Sequence, residues 1–442
     1  MGRGTGGSGD AGGVVDEASA LLTAVRAQDT DLVRSFLRDD VEPDLRDAAF
    51  CLAVRTYSAG IAQLLLDHGA DPGRRGPDEL LPLRRVVEFG SPALAEVLLH
   101  HRNLGRYTAP ELLEMCELAR HWQETGVETE LVRLTGAPGA VGRTRVQDDE
   151  NHSVDEFTLG GMSVRDGHAA ILTRLEELLG VRSSFEELMD RALAHADQDH
   201  AVWGTVTIRL AGHRDRSTWT AAAALRAHPD PSHRLFGAEV LRLTHLFDGS
   251  DEDTFAGPAL DIFTAWSGEE TELAVLTEVL VALGEHADPR ADAALLRHAG
   301  HPCPAVRGAV ARGLGTWSET PDFTEEARAA LLVLMTDVDA AVRRDACLTV
   351  GLRRDRRPGL ADAMAALLDD AERQVQIAAV HGLALHEDER CVPASHRLGP
   401  PRPGVLAEEH RLEAAWRYEW RREGPELPDP RPGRGPAVRS GP

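Results

Sequence analysis

Nineteen histidines and five cysteines give this 442-residue chain many side chains that could hold a metal or move a proton. Two groupings have ligand-like spacing. His298, His301 and Cys303 form an HxxHxC string across an expected helix end, a spacing able to supply two or three zinc ligands. His195, Asp197, Asp199 and His200 offer a carboxylate–histidine set within a single turn. The plainer reading of both is polar residues at inter-helix turns, and no fourth ligand stands near the first string. No metal and no cofactor is therefore expected. His100–His101 closes a helix, where a solvated or dipole-facing role is sufficient.

Nucleophile chemistry has no signature in the chain. There is no GxSxG and no HExxH, and Cys347 sits inside an apolar helical pattern as a core thiol. Adjacent acids such as Glu186–Glu187, Glu269–Glu270 and Asp369–Asp370 read as solvated helix ends. All 48 basic residues are arginine, so no lysine is available for a P-loop, a kinase-type site or a Schiff base. The all-arginine usage is attributed to a GC-rich, bacterial genome. The GRGTGG string near the N-terminus follows no strand and lacks the βαβ unit that would aim its glycines at a dinucleotide. No catalytic residue is assigned.

Charge narrows the partner. The formal net charge is −24, which disfavours nucleic acid and anionic membranes as principal targets. From residue 390 onward ten arginines face seven acids, so a slightly basic tail follows a body of −27. Cys51, Cys116, Cys303, Cys347 and Cys391 are scattered without a CxxC, which suits a reducing, cytoplasmic setting. No apolar run is long enough to span a membrane, and the Gly-rich start lacks the apolar stretch of a signal peptide.

These residues must be positioned by helices, since Ala, Leu, Arg and Glu dominate the composition. Residues 1–15 are Gly-rich and read as disordered. From 16 to 136 a unit repeats, visible in LLTAVRAQDTDLVRSFL (21–37), FCLAVRTYSAGIAQLLL (50–66) and LRRVVEFGSPALAEVLL (83–99). Each reads as a short helix, a turn, and a second helix ending in an apolar pair. The second unit closes in LLLDHGADP (64–72), with Gly69 placed for a positive φ after a helix. This run resembles the ankyrin repeat. The family's TPLH turn is reduced to LLPL (80–83) in the third unit, and 111–134 reads as a degenerate or capping unit. Residues 137–168, rich in Gly and Asp, read as a linker or long loop.

A second repeat occupies 169–390. DAAVRRDACLTVG (339–351) sets a thirteen-residue frame of cap, spacers, Val-Arg and apolar residues at helical spacing. The frame recurs in CPAVRGAVARGLG (303–315) and DPSHRLFGAEVLR (230–242), and more loosely at 199–211, 272–284 and 372–384. Within it, Asp230 and Asp339 are N-caps that could pair with Arg234 and Arg343 four residues on. Elsewhere one of the two is missing, so this ladder is expected to be broken. VWGTVTIRL (202–210) is β-branched and reads locally as a strand, whereas the register demands a helix. This array resembles HEAT repeats in the short form of phycobilisome lyases. Residues 391–403 read as a Pro-rich break and 404–423 as a last helix. In that helix Trp416 and Trp420 share a face suited to capping the array, beside Arg417, Arg421 and Arg422. Residues 424–442 read as a disordered tail.

The expected fold is thus an all-α solenoid of helix pairs, ankyrin-like and then HEAT-like. Both resemblances imply a non-catalytic scaffold or adaptor that takes a protein or peptide on its concave face. Aligning the frames places Glu239, Arg312, Thr349 and His381 in one column expected to touch that partner. HEAT-like relatives that assist chromophore attachment, or that act as DNA-base glycosylases, imply an enzymatic alternative. A regulatory sensor, docking through the first array and responding through the second, is a third.

Overall fold

The computed structural model describes residues 20–38, 41–247, 254–315, 322–353, 355–402 and 404–423. The expected disordered ends, 1–15 and 424–442, lie outside these residues. The chain divides into two compact units, Met1–Ala221 and Ala222–Pro442.

The first unit opens with helical residues 20–26, then α1 (Thr30–Phe36), α2 (Pro43–Arg55), α3 (Ala59–Asp67), α4 (Pro82–Phe89), α5 (Pro92–Leu98) and the short α6 (His101–Leu104). α2 packs on α3 and α4 on α5, which matches the expected helix pairs. Phe50, Ile61, Leu65, Leu94, Leu98 and Leu99 form their fully buried core. Gly69 takes φ +90°, and its N–H and that of Ala70 close the end of α3 on the carbonyls of Leu66 and Leu65. Pro82 starts α4 at a position where a missing N–H costs nothing. The stretch 111–134 becomes the pair α7 (Ala109–Thr125) and α8 (Val127–Thr135).

The expected linker at 137–168 is instead a three-stranded antiparallel meander: β1 (Gly142–Gln147), β2 (Ser153–Leu159) and β3 (Met162–Arg165). Leu159 pairs with Met162 around Gly160 and Gly161, whose φ values of +58° and +82° suit a two-residue hairpin turn. The sheet packs on α8 and on the end of α4 over a small core of Trp122, Val127, Leu131, Leu159 and Val164. Gly90 permits this contact. It takes φ +68°, and a Cβ there would lie 2.0 Å from the Arg165 carbonyl oxygen. Next come α9 (His168–Leu178), α10 (Phe185–Leu193) and α11 (Ala201–His213). The strand-like VWGTVTIRL is therefore helical, its start capped by the His200 ring, which accepts the Val202 N–H at 3.2 Å. Helix α12 (Arg216–Ala224) spans the division between the units.

The second unit continues in pairs. Its second helices are α13 (Pro231–Leu246), α15 (Leu273–Gly284), α17 (Pro304–Gly313), α19 (Ala340–Leu352) and α21 (Arg373–Leu385). The first helices that alternate with them are α14 (Ala256–Ser267), α16 (Pro289–Leu296), α18 (Glu325–Leu334) and α20 (Pro358–Ala366). Each of the six sequence frames is a helix, α11 included. The chain closes with α22 (Cys391–Leu398), found where a Pro-rich break was expected, and α23 (Leu406–Glu423). Successive second helices pack on one another in order, and α23 packs on α21. Gly284 meets Gly313, and Gly351 meets Gly382, so closely that a Cβ on Gly284 or Gly351 would fall 2.5 or 2.6 Å from the facing Cα.

Arginines tie these repeats together, and not in the expected way. Arg234 does not pair with its own cap Asp230, nor Arg343 with Asp339. Those caps accept backbone N–H groups of their own helices. Each arginine forks instead onto a carboxylate in the turn of the next repeat. Arg234 reaches Glu270 at 2.9 and 3.0 Å, Arg307 reaches Asp337 at 2.6 and 2.8 Å, and Arg343 reaches Asp370 at 2.7 and 2.9 Å. The remaining Nη donates to two carbonyls just before the arginine's own helix: His228 and Pro229, His301 and Pro302, or Asp337 and Val338. Arg307 takes part fully although Cys303 stands at its cap. Where Gln376 replaces the arginine, its amide still donates to the Asp370 carbonyl at 2.6 Å.

Candidate functional site

Polar side chains converge in the first unit where β3 runs into α9. Arg165 at the end of β3 is fixed by a buried bond to Asp148 at 2.6 Å, and its guanidinium lies 3.9 Å from the centre of the Tyr57 ring. Asp148 in turn accepts the Ser91 hydroxyl at 2.8 Å and the Ala93 N–H at 2.7 Å, which locks the β1–β2 turn onto the start of α5. The next residue, Asp166, is thereby held against the α10–α11 turn. One of its carboxylate oxygens accepts the Asp155 N–H at 2.9 Å and His200 Nε2 at 3.1 Å. His195 Nδ1 lies 3.6 Å from the other oxygen, and its ring stacks on His200 at 4.0 Å and 14°.

The structure therefore brings together two members of the sequence grouping, His195 and His200, and replaces the other two. Asp197 bonds Arg145 of β1 and caps the Asp199 N–H, while the Asp199 carbonyl accepts Ser153 N–H at 2.8 Å. Asp166 lies 29 residues before His195 and was not legible as a partner. Asp166, His195 and His200 place their donor atoms within 4.8 Å of one another, the one such group of three among the described residues. Hydrogen bonding accounts for this geometry. His200 Nδ1 accepts the Val202 N–H, so a neutral ring carries its proton on Nε2 and donates it to Asp166. The two stacked rings lie in nearly parallel planes.

Burial and neighbours set the charges. Burial pushes the Asp166 carboxyl up, but the hydrogen bond and charge of His200, the charge of His195 and the Asp155 N–H together outweigh it and leave the group below its ordinary range. Desolvation, aided by His200, lowers His195 to about 4. Burial also lowers His168 to about 4. The His168 ring stacks on Trp122 at 4.8 Å and 6°, and Nε2 faces the Glu88 carbonyl at 3.4 Å. A carbonyl only accepts, so Nε2 carries the proton; the buried Nδ1 has no hydrogen-bond partner. Asp166, His168 and His195 line a cleft of about 530 Å³ together with Trp122, Phe157, Arg143, Glu187, Asp190 and Arg191.

The column expected to meet a partner is mostly covered. Glu239, Thr349 and His381 are buried at 7%, 8% and 9% exposure, while Arg312 is half exposed and bonds Asp345 at 2.5 Å. The His381 ring lies against the Arg411 carbonyl at 3.3 Å, beneath α23, and burial lowers its pKa. The four were aligned one place before the apolar pair or glycine near the frame end, whereas the second helices use that face to pack on their neighbours. His298 and His301 stand 6.4 Å apart as rings, and His301 Nδ1 accepts the Cys303 N–H at 3.1 Å, closing a turn. Cys347 is fully buried, and desolvation pushes its thiol up to about 12. In α23 the docking residues are Leu412, Ala415 and Tyr418, whose hydroxyl donates to the Glu387 carbonyl at 2.9 Å; Trp420 is 48% exposed. The cap therefore uses a face other than that of the tryptophan pair.

Residues 293–384 match a family model of HEAT repeats. Among solved structures, the X-ray structure of the Escherichia coli protein YibA is similar at 14% identity and a TM-score of 0.39, over 53% of this chain and 92% of its own. The crystal structure of an engineered protein is similar at 12% identity and a TM-score of 0.37, over 91% of this chain and 98% of its own. No curated protein matches the sequence. Residues 293–384 of the second unit are thus HEAT-like repeats, and no helix among the described residues is long and apolar enough to cross a membrane.

Proposed function

We propose that this chain is a non-catalytic cytoplasmic scaffold whose HEAT-like array holds a segment of a protein partner. One observation carries the reading: the second helices α13, α15, α17, α19 and α21 follow one another unbroken, each packed on the next. Bidentate arginine bonds hold successive repeats in register at Glu270, Asp337 and Asp370. A surface fixed in this way is preorganised, so a partner that settles on it loses little to reordering. Arg312, together with Leu352 at 68% exposure, supplies accessible charge and apolar area on the second helices. In the same reading, the helix pairs of the first unit, with the Gly69 turn and Pro82 start, are ankyrin-like and dock a second element.

The test is co-purification from the native host with the Arg312→Glu, Leu352→Asp double variant. Both positions are exposed, so circular dichroism and melting should stay close to wild type. A partner bound by the wild type should be lost by the variant. Equal recovery with both proteins would remove this surface from the binding site.

A further inference from the structure

We infer that the cleft lined by helical residues 20–26, α2 and the turn between α3 and α4 binds a phosphate monoester. Charge comes first. Arg26, Arg55, Arg74 and Arg75 line this space of about 330 Å³, and no carboxylate lines it. In a chain of formal net charge −24 the cleft is a local reversal of sign. Two of the four arginines are braced. Arg74 bonds Asp44 at 2.5 Å and Asp47 at 3.4 Å, and Arg75 donates to the Glu79 carbonyl at 2.6 Å. Arg26 and Arg55 are exposed and have no hydrogen-bond or ion-pair partner among the described residues. Three of the four guanidinium charges therefore meet no carboxylate among those residues, which favours an anion as ligand.

The second observation is how the cleft is built. The turn that carries Arg74 and Arg75 closes on itself, Gly76 N–H donating to the Leu80 carbonyl at 2.9 Å and Glu79 N–H to the Gly76 carbonyl at 3.0 Å. Between the arginines the lining is apolar, with Leu22, Leu52 and Pro77 beside the buried Cys51. Burial and the charges of Asp47 and Asp78 raise the Cys51 thiol, while the charges of Arg74 and Arg55 act against them, so both guanidinium groups are felt inside the cleft. The two acids are themselves engaged, Asp47 by Arg74 and Asp78 by Arg85. Ligand chemistry follows from these features. An arginine fork pairs its N–H groups with two oxygens of one phosphate. A phosphate monoester carries about −1.5 to −2 charge at neutral pH and three acceptor oxygens, enough to meet more than one fork at once. A carboxylate offers a single charge and two oxygens. The apolar lining suits the carbon body of an ester, which inorganic phosphate lacks.

This cleft is independent of the surface proposed on the second helices. The full-length protein would be titrated calorimetrically with phenyl phosphate, with a short blocked peptide carrying one phosphoserine, and with the same peptide carrying glutamate in its place. Saturable binding of phenyl phosphate, with or without the phosphopeptide, is the expected result for a free monoester. Binding of the phosphopeptide alone assigns the same group to a modified side chain. Either should weaken with added salt. The glutamate peptide should bind about tenfold more weakly than whichever phosphate probe binds. Arg26→Gln and Arg55→Gln, at exposed positions without a partner to lose, should each weaken binding about tenfold, as expected for one lost charge-assisted hydrogen bond. Arg417→Gln in α23, outside the cleft, removes the same charge and should leave binding unchanged. Urea unfolding of the three variants checks that they remain folded. Absence of heat with both phosphate probes, or binding unchanged by Arg26→Gln and Arg55→Gln, overturns the inference. So does equal affinity for the glutamate peptide, or equal weakening by Arg417→Gln, since binding would then report only overall charge.

Discussion

The two units use arginine and carboxylate in opposite ways. In the second unit the same fork recurs at Arg234, Arg307 and Arg343, each reaching forward one repeat. In the first unit they gather once: Asp148, Arg165, Asp166, His168, His195 and His200 all crowd the end of one small sheet. Repetition builds a framework from interchangeable bonds, whereas convergence makes several groups depend on one another at a single place. A framework tolerates the loss of one bond, and a convergent site does not.

The largest expected effect separates the two at a glycine. Gly90→Ala forces a side chain into positive φ and into the Arg165 carbonyl, and should cost about 4 kcal/mol and displace β3. Gly284→Ala in the array meets one facing Cα at ordinary helical φ and should cost about 2 kcal/mol, because neighbouring helices can part slightly. Urea denaturation of each variant measures this difference, and equal losses would erase the contrast.

Acid is the next lever. His168 and His195 titrate near 4 in the folded state, against an ordinary 6.5, so the unfolded chain binds more protons between those values. Their contribution is complete above about pH 6.5 and falls as pH drops towards 4. Each of the two should account for up to about 3 kcal/mol of acid destabilisation. Denaturation followed across this window should show a shallower pH dependence in His168→Phe than in wild type. An identical slope would show that His168 is already charged in the native protein.

The smallest effect lies within the array. Arg343→Ala removes a fork whose Asp370 side chain is 7% exposed and should cost about 2 kcal/mol. Arg312→Ala breaks a bond made by a half-exposed arginine and should cost under about 1 kcal/mol. Matching losses would mean that the forks act as ordinary surface pairs.

Sequence legibility followed the same division. All six frames could be read because the register repeats, and at VWGTVTIRL that register overrode the local strand propensity of β-branched residues. The arginine partners could not be read, since an offset of four within a helix is visible along the chain while 36, 30 and 27 residues to the next turn are not. The sheet was hidden by its Gly- and Asp-rich flanks, although TLGGMSV carries a hairpin signal in its paired glycines between β-formers. The grouping at His195 and His200 was half legible. Its turn was adjacent in sequence, but the carboxylate that joins it arrives from the far end of a strand.

The last rung of the array has a consequence for assembly. Every fork leaves a donor waiting for the next repeat, so an open end would present an adhesive edge to any similar chain. At α21 that edge is met from within. Arg373 donates to the Leu398 and Pro400 carbonyls and approaches Glu408, a fully buried carboxylate at the start of α23 that Arg402 also holds. Glu408 thus draws Arg373 and Arg402 together at the start of α23, although Gln376 and not Arg373 holds the fork position of α21. In growth terms α23 takes the place on α21 that the next second helix holds on each earlier one.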